Sequence, residues 1–84
     1  MTKEELLAWS EEVGKENNVE VGLCIRPFGH RAGFDGEALV RDLSGNAGAG
    51  TFSSTFQCQE IEGAKNVVND LIKYTLEARQ KAGE

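Results

Sequence analysis

The chain has 84 residues, of which 39% are apolar, and it carries a formal net charge of −5 at pH 7. This length accommodates one domain with a thin core and leaves no room for a second domain. The negative charge disfavours long-range attraction to nucleic acid or anionic lipid, although a local basic patch could still bind either of them. With a single proline and no low-complexity run, we expect an ordered domain.

The cellular compartment is predicted from what the sequence lacks. No apolar stretch approaches the roughly 18 residues of a membrane span, and no charged-then-apolar signal segment opens the sequence. We therefore expect a cytoplasmic protein with no membrane partner, in which Cys24 and Cys58 stay reduced. A mature secreted chain would share these features, so that alternative stays open.

A first helix is predicted over residues 3–17. Thr2 and Glu5 have the spacing of a capping box, in which each side chain satisfies a free backbone N–H of the other residue. Asn17-Asn18 is expected to end the helix. The apolar stripe expected on this helix consists of Leu6, Leu7, Trp9 and Val13.

Three strands are predicted next, over residues 19–26, 37–43 and 51–59, followed by a helix over 61–82. The first strand alternates cleanly and should stop at Pro27. The second is ambiguous by period, but its seven residues lie between two turn signals, which favours a strand. In the third strand Phe52, Phe56 and Cys58 point inward. The apolar residues of the last helix are Ile61, Ala64, Val67, Val68, Leu71, Ile72 and Leu76, with Gly83 placed as its cap.

The predicted order is α-β-β-β-α, which indicates the α+β class. Short connections favour an antiparallel three-stranded sheet, because parallel pairing needs long crossovers. Each strand has one apolar face, so both helices should cover the same face and form a two-layer sandwich. The other face should be wet, and should carry Glu20, Cys24, Arg26, Thr55 and Gln57.

The cysteines and the lone histidine are the candidates for chemistry. Cys24 falls among polar strand positions and Cys58 among apolar ones, so they should lie on opposite faces as free thiols. With one histidine and no paired-cysteine motif, no metal and no cofactor are expected. His30 is either a general base, with Cys24 as half of a thiol dyad, or an ordinary loop histidine.

A basic loop is the candidate binding site. Arg26, His30 and Arg31 surround a glycine-rich loop beside Phe28 and Phe34, where cations and aromatic rings alternate. One interpretation is contact with phosphate or with an acidic protein surface, to which Lys65 would contribute. The alternative is a solvated loop whose phenylalanines fill the core.

Two further patterns have simpler interpretations. Residues 45–51 resemble a phosphate-binding loop, but they lack its lysine and lead into a strand, so we predict a flexible hairpin connection. The first helix is acidic and could mimic a nucleic-acid backbone, but such a charge run is usually a solvated face.

The element order and two short motifs resemble the double-stranded RNA-binding domain, and the resemblance spans nearly the whole chain. That family carries a histidine, three residues and a phenylalanine between its first two strands, which matches His30 and Phe34. Its last helix opens with two lysines, one residue, an alanine and a lysine, and Ala64-Lys65 matches the end of that motif. The two lysine positions, which grip phosphates in the family, fall on Ile61 and Glu62. The resemblance therefore implies the family's topology, with RNA binding replaced by protein binding.

We expect a small non-catalytic protein that acts through contacts with another protein. The chain is too short to enclose a sizeable pocket, and a sheet edge can accept a partner strand or pair two copies into a homodimer. By size and charge it is analogous to phage-encoded inhibitors and to adaptors. The alternative is a nucleic-acid-binding module that uses Arg26, His30, Arg31 and Lys65, and the third hypothesis is a small thiol enzyme.

Overall fold

A computed structural model describes residues 1–45 and 50–82, and it confirms the α+β class. Its elements are α1 (Lys3–Asn17), β1 (Val19–Pro27), β2 (Phe34–Asp42), β3 (Thr51–Cys58) and α2 (Gly63–Ala82). The strands form one antiparallel sheet in the order β1-β2-β3. Neither described helix is long and apolar enough to cross a membrane.

The middle strand is longer than predicted, because it begins at Phe34 rather than at residue 37 and ends at Asp42. Its first residues pair with the end of β1, where Pro27 lies opposite Phe34. The Phe28 N–H donates to the Gly33 carbonyl at 3.1 Å, so bonded positions alternate along β1 and Pro27 faces the free edge. Its missing N–H therefore removes no bond from the sheet, and this proline is the last residue of β1 rather than, as predicted, the first residue after it.

The remaining boundary differences are small. β3 ends at Cys58, one residue early, and α2 begins at Gly63 rather than at residue 61. Residues 61 and 62 form a turn before the helix. Most of the predicted hairpin connection, residues 46–49, and the predicted cap Gly83 lie outside the described residues.

Both helices cover one face of the sheet, as predicted. α1 packs mainly against β1, whereas α2 packs against both β2 and β3. The close approach of α1 depends on Gly14, because a Cβ there would lie 2.9 Å from the Val19 carbonyl oxygen. The buried apolar residues are Leu6, Val19, Ile25, Ala38, Val40, Ala64, Val68, Leu71 and Ile72.

Two leucines assigned to the helix stripes are not in the core. Leu7 is 38% exposed and Leu76 is 40% exposed, so both predictions are wrong. Ser10 and Thr75 are buried instead, since each hydroxyl donates to a carbonyl of its own helix, at 2.7 and 2.9 Å. A hydroxyl satisfied in this way can be buried at little cost, which sequence periodicity does not register.

The ends of α1 are capped as the sequence indicated. The Thr2 hydroxyl accepts from the Glu5 N–H, and the Glu5 carboxylate accepts from the Thr2 N–H, each at 3.1 Å. This bonding to Thr2 lowers the pKa of Glu5. At the other end, Asn18 adopts the left-handed conformation with a φ of 54°. The capping-box prediction is therefore confirmed.

Arg79 joins the end of α2 to α1 and β2. Its guanidinium donates to the carbonyl oxygens of Asn17 at 2.7 Å and Asn18 at 2.6 Å, and it also bonds to the carboxylate of Asp42. Burial opposes ionisation of Asp42, but hydrogen bonds from Ser44 and Arg79 outweigh it and lower the pKa of this carboxyl. Because this junction joins residues far apart in the chain, it was not predicted from the sequence.

Candidate binding surface

The face of the sheet opposite the helices is uncovered among the described residues. Register places its side chains in four cross-strand rows, one residue from each strand. The rows are Glu20, Arg41 and Thr51; Gly22, Leu39 and Ser53; Cys24, Glu37 and Thr55; and Arg26, Asp35 and Gln57. We refer to these twelve residues as the open face. Eleven of them are exposed and Asp35 is half-buried, which is the wet face that the alternation predicted.

Leu39 is the large apolar side chain of the open face, and it is 38% exposed. It lies near the middle of the central strand, between Gly22 on β1 and Ser53 on β3. Both neighbours in its row are small, and the Leu39 side chain lies beside Gly22, where a Cβ would be 3.8 Å from the Leu39 Cβ and 4.0 Å from its Cδ2. The open face therefore carries one large apolar side chain within a polar surround.

Two ion pairs cross the strands at opposite ends of the open face. Arg41 bonds to Glu20 at 3.0 Å, and Arg26 bonds to Asp35 at 2.9 Å. Such exposed pairs contribute only about 0.2–1 kcal/mol each, so they can be rearranged by a partner at little cost. A shallow, open depression of about 490 Å³ lies beside Arg26 and extends across the strands to Thr55 and Gln57.

The predicted basic loop is partly assembled. The Arg31 guanidinium lies 4.2 Å from the centre of the Phe28 ring, and the His30 ring lies 6.5 Å from it. His30 and Arg31 are exposed, whereas Phe34 packs against the core beside Ile25. Phe34 therefore fills the core, whereas Phe28 lies against Arg31 and His30.

The other two predicted binding residues lie elsewhere. Arg26 is on the open face, paired with Asp35. Lys65 is half-buried in the helix layer, where its ammonium group lies 5.0 Å from the centre of the Trp9 ring. Arg26 and Lys65 are thus on opposite sides of the sheet, and the four predicted residues do not form one patch.

The thiols and the histidine are not assembled into a dyad. Cys24 is exposed and Cys58 is half-buried, both are free, and they lie on opposite faces of non-adjacent strands, as predicted. Burial raises the pKa of Cys58. His30 has a ring contact with Phe28 and no hydrogen bond within residues 1–45 and 50–82. In the same ranges, no three His, Cys, Asp or Glu side chains are grouped to hold a metal ion.

Sequence reasoning missed Leu39 as a binding candidate. It treated residues 37–43 as a strand without assigning its faces, although Ala38 and Val40 are the small and β-branched residues that fit inward positions. That assignment would have placed Leu39 outward with Glu37 and Arg41. Comparison of this chain with protein-family models, with curated proteins and with solved structures returned no match.

Proposed function

We propose that this chain is a small non-catalytic binding module that docks on another protein through the open face. The observation that carries the proposal is Leu39, which is 38% exposed near the centre of a face that no described element covers. Docked interfaces bury an apolar centre inside a polar rim, and the two cross-strand ion pairs supply such a rim.

The size of the open face suggests a transient partner. Eight residues at about 3.3 Å each, across three strands about 4.8 Å apart, give a flat area of about 400 Å². A standard interface buries about 800 Å² per partner. We therefore expect a small, reversible contact, which suits an adaptor or an inhibitor.

The resemblance to the double-stranded RNA-binding domain is consistent with this proposal. The positions of the family's phosphate-gripping lysines hold Ile61 and Glu62, and Lys65 lies against Trp9 rather than beside Arg31. We propose that the fold is of this kind and that its RNA-binding surface has been replaced by a protein-binding one.

The test is a matched pair of baits. Leu39 on the sheet and Leu7 on α1 are both 38% exposed, so Leu39→Asp and Leu7→Asp make the same chemical change on different surfaces. From a lysate of the cells that produce the protein, wild type and Leu7→Asp should recover one stoichiometric protein, and Leu39→Asp should lose it. Recovery by both variants, or no recovery by folded wild type, would contradict the proposal.

Nucleic-acid binding is the second candidate, and one observation favours it. Arg31 and His30 are exposed around Phe28, which offers a cation and a stacking surface together. Duplex RNA and duplex DNA should be titrated at about 50 mM salt, where phosphate contacts are strongest. Absence of binding there rules this candidate out, and binding that Arg31→Ala abolishes would favour it over the protein partner.

A further inference from the structure

β3 forms an outer edge of the sheet, and no other described segment pairs with it. Residues 51–59 contain no charged residue and no proline. Natural sheets usually protect an edge with charges, proline, a bulge or a covering element. The opposite edge strand, β1, has such protection, because it carries Glu20 and Arg26 and ends at Pro27. Of the two outer edges of the sheet, the β3 edge is therefore the unprotected one, and it is available for strand pairing.

The hydrogen-bond pattern shows which backbone groups this edge offers. The Asp42 N–H donates to the Gly50 carbonyl at 3.1 Å, and bonded pairs recur at every second residue of an antiparallel ladder. Alternate residues of β3 therefore present N–H and C=O groups outward: Thr51, Ser53, Thr55 and Gln57. The Ser54 hydroxyl donates to the outward Thr55 carbonyl at 3.1 Å, so this carbonyl already takes a donor from within the chain.

We propose that two copies of this chain pair antiparallel along β3, about a two-fold axis at Ser54, into one continuous sheet. In this register the outward groups of Ser53 bond to Thr55 of the second copy, and those of Thr51 bond to its Gln57. Phe52 lies opposite Phe56 of the second copy on the covered side, and aromatic cross-strand pairs stabilise a sheet. No like charges meet along the strands, because this edge is neutral.

The positions of the helices favour β3 over β1 as the dimer edge. α2 packs against both β2 and β3, so it lies about one strand spacing of 4.8 Å from the proposed axis. Two copies of α2 would then be about 10 Å apart, which is the packing distance of helices. α1 packs mainly against β1, so a pairing there would bring two helices within about 5 Å of each other.

A groove beside β3 would be filled by the second copy of the chain. It has a volume of about 370 Å³ and runs between β3 and α2. Tyr74, which is 48% exposed, lies in this groove with its ring 6.3 Å from that of Phe52. Its lining residues are Phe52, Ser53, Ser54, Val67, Asp70, Leu71 and Tyr74. The second copy's Phe56 and α2 would supply the missing apolar contacts.

The proposed dimer should be weak. The two Asp70 carboxylates would approach each other near the axis, which opposes association. The interface also uses eight strand residues and one flank of α2, fewer than the about 20–30 residues a side of a standard interface. We therefore expect a micromolar dissociation constant, and Asp70→Asn should tighten it a few-fold.

The first test is sedimentation equilibrium of the purified chain up to about 500 µM, well above a micromolar dissociation constant. Ser54→Lys places two like charges opposite each other at the axis and should weaken the dimer by up to about fivefold. Ala8→Lys adds the same charge on an exposed position of α1 and should leave the dimer intact. A monomeric wild type at that concentration, or a dimer insensitive to Ser54→Lys, overturns the proposal.

Disulfide cross-linking in a Cys24→Ser background tests the register of the proposed β3 pairing directly. At the axis the two Ser54 Cα atoms would be about 4.5 Å apart, within the range of a disulfide. Ser54→Cys should therefore give a covalent dimer on mild oxidation. Ser53→Cys, whose two copies would be about 8 Å apart, should stay reduced. Cross-linking through residue 53 instead of 54 overturns the register. Both tests use this chain alone, so they are independent of whether a partner protein is found.

Discussion

The helix-covered face and the open face of the sheet are built from alternate residues of the same three strands, yet their neighbours differ completely. Val40 is fully buried between the sheet and α2, whereas Leu39, the preceding residue, is 38% exposed. The ion pairs differ in the same way. Arg79 and Asp42, on the covered side, have side chains only 17% and 4% exposed, whereas Arg26 on the open face is 71% exposed.

This difference separates stability from recognition. The covered face stabilises the fold, because apolar side chains are removed from water there and the nearly buried Arg79–Asp42 pair is held by charge-assisted hydrogen bonds. We expect the open face to contribute little to stability, which leaves its residues available for the proposed binding role. If two copies pair along β3, their open faces become continuous, with an area of about 800 Å², which matches one side of a standard interface.

The largest expected effect comes from truncating a leucine on each side of the sheet. Leu6→Ala should lower the free energy of unfolding by about 2–5 kcal/mol, because Leu6 is fully buried and its loss leaves a cavity. Leu39→Ala should lower it by less than about 1 kcal/mol. Urea unfolding followed by circular dichroism measures both changes. Equal losses would show that the open face is part of the stabilising core.

A second contrast uses two glycines in adjacent strands. A Cβ at Gly36 would lie 2.2 Å from the Cys24 carbonyl oxygen and 2.9 Å from the Phe56 ring, so Gly36→Ala should destabilise the fold by about 1–3 kcal/mol. At Gly22, on the open face, the nearest atom would be the Leu39 Cβ at 3.8 Å. Gly22→Ala should be neutral or stabilising, because glycine weakens a strand. Thermal unfolding of the two variants checks the sign, and equal destabilisation would contradict the contrast.

The smallest contrast compares the two arginines. Arg79→Met should lower the free energy of unfolding by about 2 kcal/mol through its lost charge-assisted hydrogen bonds, whereas Arg26→Met should change it by less than about 1 kcal/mol. The folded state lowers the pKa of Asp42, so its ionised form stabilises the fold at neutral pH. That contribution is fully present above the ordinary value of 3.8 and should be lost as the pH falls from there through the lower pKa of the folded state.

Urea unfolding of wild type and Arg79→Met between pH 7 and pH 3 tests this prediction. The difference in free energy of unfolding between wild type and Arg79→Met should shrink as Asp42 becomes protonated. Part of the stabilisation by Arg79 depends on the negative charge of Asp42. A difference that stays constant over this range would show that the backbone carbonyls of Asn17 and Asn18 account for the whole effect of Arg79.

Local sequence signals predicted much of the fold. The capping box at Thr2 and Glu5 and the alternation of β1 and β3 depend on residues close in the chain, so they could be recognised without tertiary information. The start of β2 at Phe34 could not be, because that segment follows a glycine-rich loop and becomes a strand by pairing with β1 and β3 on both sides. For the same reason, the sequence identified the basic residues but did not show that they lie on different surfaces.

Strand period and composition were sufficient to predict the element order, the two free thiols and a polar sheet face. The packing of the helices on the sheet was needed to show that Arg79 binds the end of α1, that Lys65 lies against Trp9 and that Leu39 is uncovered. The contacts of Arg79 and Lys65 join residues far apart in the chain. Their geometry depends on how the helices lie on the sheet, which no local pattern specifies.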